Sequence, residues 1–234
     1  MIGYGYILIF LVFIIISSII GARLKSKFRK YSKIPIDGNL SGKEVAEKML
    51  HENGINDVNV VSVQGQLTDH YNPANKTVNL SHDVYYGRSI ASAAIAAHEC
   101  GHAVQHARAY AMLQFRTALV PIQNISSKIM NFIFIMMFFG VFMFNHFISI
   151  DTALLVIIGC YAVFTLFAFV TLPVEINASH RALMWLNSSG LTSYGTHEMA
   201  KDALKWAAYT YVVAALSSLA MLLYFLAMFA GRRN

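Results

Sequence analysis

Four long apolar runs organise the chain, at residues 2–20, 129–150, 152–172 and 207–230. None contains Asp, Glu, Lys or Arg. Each approaches or exceeds the ~20 residues that a helix needs to cross a bilayer. The first run lacks both a basic leader and a small-residue cleavage site, which reads as an uncleaved anchor. Only residues 145–151 separate the second run from the third, so these two form a tight membrane hairpin. Two polar stretches remain, 21–128 and 173–206. Because the hairpin crosses twice, both emerge on the same side of the membrane. The pattern divides the chain into an anchor (1–22), a polar part (23–128), a transmembrane hairpin (129–172), a second polar segment (173–206) and a last transmembrane helix (207–234).

Within the first polar part the patterning changes period. Ser41-Gly-Lys-Glu44 is a capping box that opens a helix to Glu52, with Val45, Ala46, Met49 and Leu50 at helical spacing. Asn53-Gly54 ends it. Val58, Val60 and Val63 mark a β-rich stretch, and residues 66–71 and 76–80 flank Asn72-Pro-Ala-Asn75, a hairpin turn. A run of small apolar residues from Ile90 to about Met112 then reads as a buried helix. The expected fold is an α-helical membrane protein with four transmembrane helices and a small α+β cytoplasmic domain.

Composition agrees: 56% of the 234 residues are hydrophobic. The net charge of +6 is concentrated just after the first run, where Arg23, Lys25, Lys27, Arg29, Lys30 and Lys33 fall within eleven residues. The hairpin loop has no basic residue. Positive charge accumulates on the cytoplasmic side, which places the polar stretches there and the N-terminus outside. Arg232 and Arg233 beyond the last run dissent from this orientation. The basic excess reads as membrane topology, with no nucleic-acid partner expected. Of the two cysteines, Cys160 lies in an apolar run and Cys100 in the buried helix, so no disulfide framework is expected.

Chemistry concentrates in the buried helix, at Ala97-His98-Glu99-Cys100-Gly101-His102. One helical turn separates His98 from His102, so both imidazoles leave one face and can grip one metal ion. Glu99 stands beside them as general base for a water that the metal activates. Burying two histidines and a carboxylate without partners would cost several kcal/mol, against an incidental pattern. Cys100 faces away and reads as a packing residue. Gly101 reads as a bare surface for an approaching peptide.

Catalytic zinc commonly takes three protein ligands. His106 lies on the same face, but eight residues of helix put it about 12 Å from His98 along the axis, too far to share one ion. Glu175 is better placed, after Pro173, which is expected to open a helix running to about Asn187. A carboxylate at this membrane edge needs a partner, either a metal or an ordinary lysine or arginine. His180, Arg181, His70 and Tyr71 are candidate oxyanion donors. Residues 66–80 offer a sheet edge that an extended peptide could join as a strand.

The pair His98-Glu-Cys-Gly-His102 and Glu175-Ile-Asn-Ala-Ser179 resembles the gluzincin pattern of HtpX-type and CAAX-processing membrane proteases. Leu67-Thr-Asp-His-Tyr-Asn-Pro73, Lys76-Thr-Val-Asn-Leu-Ser81, residues 98–106 and residues 172–179 resemble, more closely, the YugP-type neutral zinc metallopeptidases of bacteria. The similarity spans roughly residues 41–206. It implies a zinc-dependent membrane endopeptidase with His98, His102 and Glu175 as ligands and Glu99 as base. Its partners would be a peptide or protein substrate at the membrane, and the lipid bilayer. Many gluzincins place an aspartate four residues after the glutamate ligand, to orient a histidine. Ser179 occupies that position here, which leaves the task to Asn177 or another group. A catalytically inactive zinc-bound scaffold is the rival reading. A transporter is disfavoured, because no span carries a charge in its middle.

Overall fold

The computed structural model describes residues 4–139 and 149–232. The turn expected at 145–151 lies largely outside them, as does Arg233. The chain divides into two compact units, one of Ile19–Gln114 and Pro173–Thr210, the other of Met1–Ser18, Phe115–Leu172 and Tyr211–Asn234. Four helices are long and apolar enough to cross a membrane: α1 (Tyr4–Tyr31), α5 (Ala111–Phe139), α6 (Ile150–Ser188) and α7 (Tyr194–Gly231).

In the first unit, helix α2 (Gly42–Glu52) starts at the expected capping box. The Ser41 side chain accepts from the Glu44 N–H, and the Glu44 carboxylate accepts from the Ser41 N–H at 2.7 Å. Val45, Ala46, Met49 and Leu50 are all buried, at roughly 1.5–3 kcal/mol for each of the larger side chains. They face helix α4 (Ile90–Ala107), whose alanines let the two helices approach closely. Ser89 caps α4 by accepting from the Ser92 N–H.

Three strands accompany these helices: β1 (Asn59–Val63), β2 (His70–Asn72) and β3 (Thr77–Ser81). The hairpin expected around Asn72-Pro-Ala-Asn75 is present, as antiparallel β2 and β3 with Tyr71 opposite Val78. β1 adds in parallel, and the order β1-β3-β2 leaves β2 on an outer edge. A short helix α3 (His82–Tyr85) joins β3 to α4. Val78, Leu80, Val84, Ile90 and Leu186 fill the core between these elements.

Three boundaries differ from the sequence reading. Helix α4 ends at Ala107, short of Met112, because Ala109 adopts a left-handed φ of 48°. Helix α5 then begins at Ala111, well before the apolar run at 129. Polar residues such as Gln114, Arg116 and Asn124 hide this helical stretch from a hydropathy reading. Pro173 opens no new helix but lies inside α6. A proline removes one internal hydrogen bond, which long membrane helices tolerate.

In the second unit Met130, Ile133, Leu154, Ile157 and Phe225 form a separate apolar cluster, with Tyr161 stacked on Phe225 at 5.4 Å. Ile7, Leu11 and Ile15 stay exposed along α1, as a lipid-facing surface would. The dissenting Arg232 is neutralised by Asp151, with Nε 2.9 Å from the carboxylate.

Candidate metal centre

Helix α4 presents His98 and His102 one turn apart, and α6 brings Glu175 against them. The Glu175 carboxylate oxygen Oε2 is 3.3 Å from His98 Nε2 and 3.4 Å from His102 Nε2. The three donor atoms lie within 4.8 Å of one another, and Glu175 is only 2% exposed. Glycine makes the approach possible. A Cβ on Gly101 would stand 2.6 Å from the Ala178 carbonyl oxygen of α6. The role expected of Gly101, a bare surface for substrate, is therefore corrected: its missing side chain admits the backbone of α6.

The far side of each imidazole is also occupied. Ser179 Oγ lies 3.1 Å from His98 Nδ1. Thus the position that carries an aspartate in many gluzincins still contacts a histidine, through a hydroxyl. His102 Nδ1 meets Gln105 Oε1 at 3.1 Å. The Gln105 amide nitrogen donates to the Val174 carbonyl at 2.8 Å and to Asn177 Oδ1 at 3.0 Å, which fixes the amide's orientation. Its Oε1 must accept, so His102 Nδ1 carries the proton. The Nε2 lone pair then faces the Glu175 carboxylate. A lone pair and a carboxylate repel each other unless a proton or a metal cation lies between them, and two imidazoles with one carboxylate suit zinc. Burial lowers the affinity of His102 for a further proton, but Glu175 outweighs it and raises the pKa above the ordinary histidine value.

Glu99, next to His98 in the chain, is 8% exposed, and its Oε2 accepts the Tyr71 backbone N–H at 3.0 Å. The edge strand β2 therefore grips the carboxylate next to the histidine pair. Asp69, just before β2, anchors this strand by accepting from the Ser81 N–H at 2.7 Å and from its hydroxyl. Burial pushes the Asp69 carboxyl upward, the Ser81 bonds pull it back, and the Glu99 charge raises it further.

Apart from His180, the remaining sequence candidates have partners of their own. His106 is bound through Nδ1 to the Tyr71 hydroxyl at 2.9 Å, as its distance from His98 requires. His70 Nδ1 bonds the Thr68 carbonyl, Arg181 Nε donates to Asn177 at 2.7 Å, and His180 is exposed. Cys100 is fully buried, its thiol contacts the Ala46 carbonyl at 3.5 Å, and burial raises its pKa well above the ordinary thiol value. It packs and does not ligate. Sequence reasoning missed Gln105 and the Tyr71 backbone. Spacing offered a signal only for Gln105, three residues after His102.

Comparison with known proteins agrees with this chemistry. The chain is 40% identical over 212 residues to a Bacillus subtilis (strain 168) protein named "Putative membrane protease YugP", covering 91% of each. No solved structure matches it. The family model described as "Putative neutral zinc metallopeptidase" matches residues 6–230. The chain belongs to this family, whose metal is zinc, and His98, His102 and Glu175 form the group that could hold it.

Proposed function

We propose that this protein is a membrane-bound zinc endopeptidase with Glu99 as its general base. The observation that carries the reading is the convergence of His98 Nε2, His102 Nε2 and Glu175, beside a glutamate held by a backbone N–H. Zinc, when bound, supplies Lewis-acid activation of the attacking water and of the scissile carbonyl. His98, His102 and Glu175 would hold the ion, and Ser179 and Gln105 fix the imidazole orientations. Glu99 accepts the water's proton at the carboxylate oxygen not bonded to Tyr71, then delivers it to the leaving amine nitrogen. Protonating that nitrogen lets the C–N bond break. The hydrogen bond from Tyr71 keeps the carboxylate from turning away. The outer edge of β2 offers a strand for an extended substrate.

Four apolar helices and the name of the relative support a multi-pass membrane protein. The six basic residues after the first run support a cytoplasmic site. An inactive scaffold would have no use for a strand that grips Glu99, which favours the enzyme. The test is Glu99→Gln in the purified, zinc-loaded protein with a casein-like substrate. The variant should keep its zinc and lose about 10²–10⁴-fold in rate. Equal cleavage by both forms, or a wild-type protein without zinc, overturns the reading.

A further inference from the structure

We propose that a cavity beside the last turns of α1 binds the phosphate of an anionic phospholipid headgroup. The cavity measures about 350 Å³ and belongs to the same unit as the metal centre. That volume is in the range of small-ligand sites. Lys25, Arg29 and Lys33 all line it. Their spacing of four carries them along one face of α1 and its continuation. Among the described residues none of the three has an acidic partner. Lys27, on another face, is by contrast paired with Asp202 at 2.6 Å. Asp83 also lines the cavity, engaged by the Gln66 amide at 3.4 Å, so one negative charge faces three positive ones.

Depth along α1 points to lipid. The apolar run ends at Ile20 and the helix continues to Tyr31. Lys25 is then about 7.5 Å, and Arg29 about 14 Å, beyond the apolar end. The headgroup layer is roughly 5–8 Å thick on each side of the bilayer, so the Lys25 backbone stands at its outer margin and that of Arg29 about 6 Å beyond, with a long side chain that leaves the helix toward its N-terminus and so back toward the layer. Leu67 stands at the rim, 40% exposed, on a backbone with φ of 57° that L residues seldom adopt. An exposed apolar side chain beside three cations matches the boundary between acyl chains and anionic headgroups. Topology alone calls for basic residues near the span. It does not call for three of them to converge on one cavity.

The inference rests on the membrane reading and is independent of the peptidase reading. Native mass spectrometry of the full-length protein in detergent tests it, with phosphatidylglycerol, phosphatidylcholine and inorganic phosphate as separate probes. Wild type should retain one phosphatidylglycerol in preference to phosphatidylcholine. Lys25→Gln/Arg29→Gln should weaken that binding at least tenfold, whereas the charge-matched Arg23→Gln/Lys30→Gln should change it less than twofold. Asp83→Asn should bind phosphatidylglycerol more tightly, a gain that misfolding could not produce. Equal losses in the two double variants, no preference for phosphatidylglycerol, or no gain in Asp83→Asn overturns the proposal. Saturable binding of inorganic phosphate without any lipid preference overturns it as well.

Discussion

Gln105 has no exposed surface, and each polar atom of its amide has a partner. It links the proton-bearing side of His102 to the backbone of α6, so the imidazole cannot rotate without breaking buried bonds. Gln105→Ala should therefore lower zinc affinity about 10–100-fold, measured by competition with a chromogenic chelator. Unchanged affinity would show that the amide only fills space. This role could not be read ahead of the structure, because its partners Val174 and Asn177 lie on another helix. The pairing of His98 with His102 was legible because one helical turn settles their geometry locally. Ser179 was legible only as a departure: its hydroxyl does contact His98, and no carboxylate was needed there.

Helix α4 is defined as much by its small residues as by its histidines. Gly101 meets the Ala178 carbonyl, and neither partner can yield, because one is helix backbone and the other would be Cβ. Gly101→Ala should cost about 1–3 kcal/mol and separate Glu175 from the histidines. Thermal unfolding together with zinc stoichiometry checks this: a stable variant with full zinc would refute the close-packing role. The capping box, the β2–β3 hairpin and α4 follow from local spacing and turn chemistry, and all three were readable. The early start of α5 and the passage of α6 through Pro173 were not. Mixed polar residues obscure the first, and the second depends on a long helix outweighing one missing hydrogen bond.

Across the molecule, two polar stretches separated by an apolar hairpin make up the unit that carries the metal centre. Lys27 and Tyr31 of α1 also meet Asp202 of α7 there, at 2.6 and 2.5 Å. Both stretches must then face the same compartment. With Lys30→Cys and Glu198→Cys variants in intact cells, an impermeant thiol reagent should label neither until the membrane is permeabilised. Labelling of both from outside would reverse the orientation, and labelling of only one would break the shared-side arrangement. The double crossing of the hairpin made the shared side legible; the contact to Asp202 was not, since it joins residues from opposite ends of the chain.

The separation of Glu175 from the histidines also sets a timetable. During synthesis His98, Glu99 and His102 emerge first, and the third member follows only after the hairpin has been made. At cellular elongation rates of about 5–20 residues per second, that interval is on the order of ten seconds. Throughout it the nascent chain holds two imidazoles but no complete group. The metal centre is thereby completed only after the third span is made, so a chain stalled before that span would hold two of the three ligand candidates.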